Sequence, residues 1–90
     1  MSKIYVPATL RRFTDGRSSI EINGNTVAEI FKQMDKLFPK LQGQLYNENG
    51  QIKSHLAIFV NDVHINELDK ENTVLGERDE VYIIPAIAGG

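Results

Sequence analysis

Apolar and polar positions alternate near both ends of this chain and repeat at helical spacing in its middle. Ile4 and Val6 mark one alternating run over Lys3 to Ala8, and Ile20 and Ile22 mark a second over Ser19 to Asn23. Between them Arg11 to Arg17 is polar and holds the turn pair Asp15-Gly16, so the two runs predict a β-hairpin with a Gly-containing loop. Val27, Ile30, Phe31, Met34, Leu37 and Phe38 follow the i, i+3, i+4, i+7 spacing of one buried helical stripe. Thr26 and Glu29 fit a capping box at its start, the hydroxyl and the carboxylate each satisfying an orphan backbone N–H. Pro39 stops the helix, because the residue before a proline avoids the helical region.

The stretch from Pro39 to His55 is less regular. Leu41 and Leu45 fit an extra helical turn, and Asn49-Gly50 marks a tight turn before Ile52. Leu56 to Val60 is a strongly apolar strand, Asn61-Asp62 a turn, and Val63 to Ile65 a short partner strand. Thr73 to Asp79 is polar around Gly76 and predicts a turn or a single helical turn. Val81 to Ile84 is the last strand, ended by Pro85, which cannot donate to a ladder. The order β-β-α-β-β-β gives an α+β domain: a mixed sheet of four to five strands packed on one side by one main helix. It resembles the β-grasp order of ubiquitin-like proteins, with the first and last strands side by side at the sheet centre. Residues 1–85 then form the domain, and residues 86–90 form a tail leaving from the middle of the sheet.

Alternation also assigns the faces. With Ile4, Val6, Leu56, Ile58, Val60, Val81 and Ile83 turned to the helix, Tyr5, Phe59, Tyr82 and Ile84 point the other way. These four are neighbours in the β-grasp order, at the root of the tail. A contiguous exposed apolar patch marks an interaction surface.

Composition narrows the chemistry. Ninety residues with 41% hydrophobic content suit a single core. A net charge of −2 lacks the basic surface of a nucleic-acid binder. No stretch approaches the roughly 18 consecutive apolar residues of a membrane span. The start Met1-Ser2-Lys3-Ile4 carries no signal-peptide apolar region, which points to the cytoplasm. The chain has no cysteine, so it offers no thiol nucleophile, no disulfide and no side-chain persulfide. His55 and His64 have no second metal ligand at motif spacing. Asp15, Asp62, Asp69 and Asp79 sit in turns, where aspartate bonds its own backbone. Arg11, Arg12 and Arg17 make a small basic cluster in a loop, read as solvated with partner docking as the alternative. No catalytic or metal-binding constellation emerges from the side chains.

What remains is the ending Ala88-Gly89-Gly90. Two glycines put the α-carboxylate of Gly90 on an unbranched stalk that accepts backbone angles closed to other residues. A frayed chain end is the plain alternative. The residues beyond Pro85 reach about 17 Å when extended, enough for Ala88, Gly89 and Gly90 to thread into another protein's cleft.

Val6-Pro7 to Leu10-Arg11, the capped helix, Ile58-Phe59-Val60-Asn61, and Asp79-Glu80-Val81 through the terminal Pro85-Ala86-Ile87-Ala88-Gly89-Gly90 together resemble the MoaD/ThiS family of sulfur carrier proteins. The likeness is greatest to its longer members, including those that serve cysteine synthesis. The resemblance implies a protein co-substrate of partner enzymes and not an enzyme, with no permanently bound cofactor. An E1-like adenylating enzyme would cover the apolar face and use ATP and Mg²⁺ to convert Gly90 to a glycyl adenylate. A sulfur donor would then leave a thiocarboxylate, 1-thioglycine, for a downstream sulfur-accepting enzyme. Molybdopterin, cysteine, thiolated tRNA and siderophore-type products are all served by such carriers. Some relatives instead form isopeptide bonds to lysines as ubiquitin-like modifiers. A β-grasp interaction domain with a chemically idle tail is the third reading.

Overall fold

The five apolar strand patterns assemble into one mixed sheet. The structure is a computed structural model and describes residues 1–41 and 43–85. β1 (Ser2–Tyr5), β2 (Ser19–Ile22), α1 (Val27–Leu37), β3 (Leu56–Val60), β4 (Val63–His64) and β5 (Glu80–Pro85) follow in chain order. The sheet order is β2-β1-β5-β3-β4. β1 pairs antiparallel with β2 and parallel with β5, with Tyr5 opposite Tyr82. β5 pairs antiparallel with β3 from Val60 opposite Val81 to Leu56 opposite Pro85. The strand that leads into the tail is therefore the central one, as the β-grasp order requires.

The helix packs on one face of this sheet. Val27, Ile30, Phe31 and Met34 are fully buried, and Phe38 caps the stripe just beyond the last turn. Opposite them lie Ile4, Val6, Ile20, Ile22, Leu56, Ile58, Val60, Val81 and Ile83, all buried. Every strand residue assigned to the core is there. Phe31 is the largest of the fully buried side chains, and truncating such a phenylalanine to alanine typically costs about 3–5 kcal/mol.

Four expectations need correction. Leu37 is 59% exposed: it lies in the final turn, where it lines an open hollow with Ser19, Ile20 and Glu21 of the edge strand β2. The capping box is half formed. Thr26 Oγ1 accepts the Glu29 N–H at 3.2 Å, but the Glu29 carboxylate takes the Thr26 hydroxyl proton instead of reaching the Thr26 N–H. β1 stops at Tyr5, and Ala8 opens a 3-10 helix over Ala8–Phe13 that buries Leu10. β4 stops at His64, because Ile65 begins another 3-10 turn, Ile65–Glu67.

The irregular 39–55 stretch is mostly core-filling connection. Pro39–Leu41 is a 3-10 turn, Leu41 and Leu45 are buried, and Tyr46 bridges Ile52. Tyr46 meets Phe31 edge-on, 6.1 Å between ring centres. The turn between them forms where expected: Asn47 Oδ1 accepts the N–H groups of Asn49 and Gln51, and Gly50 takes a φ of +77°. The two-residue Asn61-Asp62 turn joins β3 to β4, with Asn61 at φ +55°, in the left-handed region that tight hairpins demand.

Candidate functional site

On the face away from α1, the register of three strands builds one patch. Phe59 lies opposite Tyr82, Tyr82 opposite Tyr5, and Ala57 opposite Ile84. The Tyr5 and Tyr82 rings stack with centres 4.6 Å apart and planes 5° from parallel. Phe59, Tyr82 and Ile84 share a shallow hollow with Asn61 and Asp62. Ile84 is 44% exposed, and the three aromatics are half-buried. All four residues chosen from alternation are thus brought together, with Tyr82 and Ile84 on β5 just ahead of the tail. Ala88, Gly89 and Gly90 lie outside the described residues.

The patch is not purely apolar. The Tyr5 hydroxyl donates to Glu80 Oε2 at 2.7 Å, and the Tyr82 hydroxyl donates to Glu80 Oε1 at 3.1 Å. One carboxylate thereby fixes the tilt of both stacked rings. The hydrogen bond from Tyr5, and after it that from Tyr82, holds the Glu80 carboxyl below the usual glutamate value. The same carboxylate raises Tyr5 chiefly through that hydrogen bond, whereas Tyr82 is raised first by burial and then by Glu80. Both phenols accordingly stay protonated and act as donors. Lys3 is the register partner of Glu80, and its Nζ sits 5.2 Å from the centre of the Tyr5 ring. Glu80 escaped the sequence reading, although its position two residues before Tyr82 places it on the same strand face.

The remaining polar candidates have structural duties. His64 Nδ1 accepts the Asn66 N–H at 3.0 Å, and its ring meets Phe59 edge-on at 5.1 Å. His55 is exposed. Asp79 accepts the Gly76 N–H and the Asn61 side-chain amide, tying the start of β5 to the β3–β4 turn. Asp15 occupies a turn at φ +56°. Among the described residues no group of three or more His, Asp or Glu side chains is placed to hold a metal ion. No helix among them is long and apolar enough to cross a membrane.

Known proteins with the same features place this arrangement in context. The profile of the ThiS family matches residues 4–90. The sulfur carrier protein CysO of Mycobacterium tuberculosis is 27% identical over 89 residues, 97% of this chain and 96% of that one. Small archaeal modifier protein 3 of Haloferax volcanii is 31% identical over 65 residues, 72% of this chain and 70% of that one. A chain in the crystal structure of the Amycolatopsis orientalis BexX/CysO complex superposes with a TM-score of 0.90 at 27% identity, covering all of both chains. The β-grasp architecture is shared throughout.

Proposed function

The chain belongs to the ThiS family, and from that premise we propose that it is a sulfur carrier whose reactive group is its own Gly90 carboxylate. The observation that carries the reading is the family match, which runs from the first strand through Gly89 and Gly90. The relatives that share it are carriers and modifiers, small proteins on which other proteins act. The absence of cysteine supports a main-chain site for sulfur, since no thiol is available to hold it.

The chemistry follows from the carboxylate. An α-carboxyl titrates at about 3.3–3.7, so Gly90 is ionised and nucleophilic through oxygen at neutral pH. Within an E1-like enzyme that binds ATP and Mg²⁺, a carboxylate oxygen attacks the α-phosphorus and pyrophosphate leaves. The resulting glycyl adenylate carries a good leaving group. Sulfide, as HS⁻, adds to the carbonyl carbon, AMP departs with the C–O bond pair, and the thiocarboxylate remains on Gly90 with loss of the sulfide proton to solvent. The side chains of this protein supply none of these steps. They supply the surface: Tyr5, Phe59, Tyr82 and Ile84 are the anchors the enzyme covers, and aromatic anchors held in place lose little freedom on binding. Glu80 holds two of them. A relative is known in a BexX/CysO complex, which supports binding to a protein partner. A downstream enzyme then accepts the sulfur.

The identity to a small archaeal modifier protein favours a second use of the same intermediate, conjugation of Gly90 to lysines. Intact mass separates the two after incubation with an E1-like enzyme, ATP, Mg²⁺ and sulfide. A gain equal to replacing one oxygen by sulfur is expected. Lysine-linked adducts recovered from cells, with no thiocarboxylate, would favour the modifier. An unchanged mass beside an enzyme that consumes ATP on this chain would defeat the carrier reading.

A further inference from the structure

Because β1 and β5 run parallel, the loop after β1 opens at the end of the sheet from which the tail departs. That loop carries Arg11, Arg12 and Arg17, all exposed, against one acid, Asp15. Leu56 pairs with Pro85, so Lys53, three residues ahead of β3, flanks the tail root on its other side. Lys40 lines a cleft with Phe13, Asp15 and Phe38 at the same end. At the opposite end of the sheet four acids, Asp62 in the β3–β4 turn and Glu77, Asp79 and Glu80 at the entry to β5, outnumber two cations, Lys3 and Arg78. Five of the ten Lys and Arg residues of a chain with net charge −2 thus lie toward the end from which the tail departs.

Two of the three arginine side chains are anchored, and the backbone of the third is fixed. Arg11 Nε donates to the Val6 carbonyl at 3.1 Å, one residue past the end of β1. The Arg12 guanidinium sits 5.1 Å from the centre of the Phe13 ring, which itself packs on the core. Thr14, fully buried, shares its hydroxyl proton between the carbonyls of Arg11 and Arg17. The Gly16 N–H returns to the Arg11 carbonyl at 2.8 Å. The loop is pinned from within, and the Arg11 and Arg12 charges are held in position before any partner arrives.

We propose that Arg11, Arg12, Arg17, Lys40 and Lys53 form a basic collar that docks on an acidic rim around the cleft of the protein that receives the tail. This rests on the sulfur-carrier reading above. A collar at one end, with an excess of acids at the other, gives the molecule a charge axis along β5, the strand that leads to the tail. Such an axis orients approach as well as accelerating it. An extended polyanion suits the surface less well, because it would run on into the acidic end.

The test uses the full chain and an E1-like adenylating enzyme that converts the wild type to the thiocarboxylate. Thiocarboxylate formation is followed by mass at rising ionic strength. Arg12→Glu/Arg17→Glu leaves the Arg11–Val6 contact in place. It should lower kcat/KM about tenfold or more at low salt and flatten the salt dependence, with kcat at saturating carrier unchanged. Arg12→Lys/Arg17→Lys should keep the wild-type salt response, and Glu77→Lys, at the other end of the sheet and outside the aromatic patch, should not mimic the loss. Melting curves verify that each variant is folded. Equal kcat/KM and parallel salt slopes in the Glu variant would overturn the collar while leaving the carrier reading intact. Binding of bulk tRNA by the wild type, lost in the Glu variant while kcat/KM is kept, would overturn it in favour of a nucleic-acid surface. If no such enzyme modifies the wild type, the carrier reading has failed and the collar falls with it.

Discussion

Thr14→Val removes one hydroxyl at nearly constant volume from a side chain with no exposure. The Thr14 Oγ1 lies 3.2 Å from the Arg11 carbonyl oxygen and 3.1 Å from that of Arg17. The Arg11 carbonyl keeps two backbone donors, Thr14 N–H at 3.0 Å and Gly16 N–H at 2.8 Å. The Arg17 carbonyl loses its hydroxyl donor. A buried group left without a partner costs about 1–3 kcal/mol. Arg17 lies on an exposed loop, so water recovers part of that, and a loss of about 1–2 kcal/mol is expected. For a domain of this size each kcal/mol moves Tm by about 4–8 °C, so the variant should melt between about 4 and 16 °C below the wild type. Urea titration should show a lower midpoint with the same slope, because the same surface is exposed on unfolding. Thr14→Ser keeps the oxygen and should recover most of the loss. A Thr14→Val protein that melts with the wild type would show that this hydroxyl does not hold the arginine loop.

Two further perturbations read the charges. The Tyr5 and Tyr82 hydroxyls depress the Glu80 carboxyl below 4.5, so its stabilising effect is present above about that pH and is lost as pH falls through the folded-state value. Glu80→Gln should therefore be less stable than the wild type at neutral pH, with the two stability curves converging in acid; curves parallel at every pH would contradict this. Asp35 is shifted the other way, raised from 3.8 by burial, and its Oδ1 has no hydrogen-bond partner among the described residues. Its charge opposes folding above that pH, so Asp35→Asn should raise the neutral-pH Tm, the gain shrinking as pH falls toward 3.8. A variant less stable than the wild type at neutral pH would show that the carboxylate has a favourable partner.

What was legible in the sequence follows from periodicity. The α1 stripe spans enough turns for its spacing to stand out, and strand alternation placed Tyr5, Phe59, Tyr82 and Ile84 on one face because a strand has only two. The 3-10 segments escaped for the opposite reason. Each runs only a turn or two and buries single residues such as Leu10, Leu41 and Ile65, too few to establish a period. Leu37 was misplaced because spacing alone does not reveal what covers the final turn. Thr14 and Glu80 were missed because their value is in pairing: one is a buried polar group in a polar loop, the other a charge beside two rings that only the β1–β5 register brings together. The arginine cluster was visible from the start, but its position beside the tail depended on those strands being parallel.

The central claim is that the chemistry lies on a main-chain carboxylate, and fragmentation mass spectrometry of the activated protein tests it most directly. The account predicts that the sulfur-for-oxygen mass gain maps to the C-terminal fragment ending in Gly90, with every internal fragment unchanged, and that deletion of Gly90 abolishes the gain in a protein that melts like the wild type. Sulfur found on any internal fragment, or a gain that survives the deletion, would contradict it.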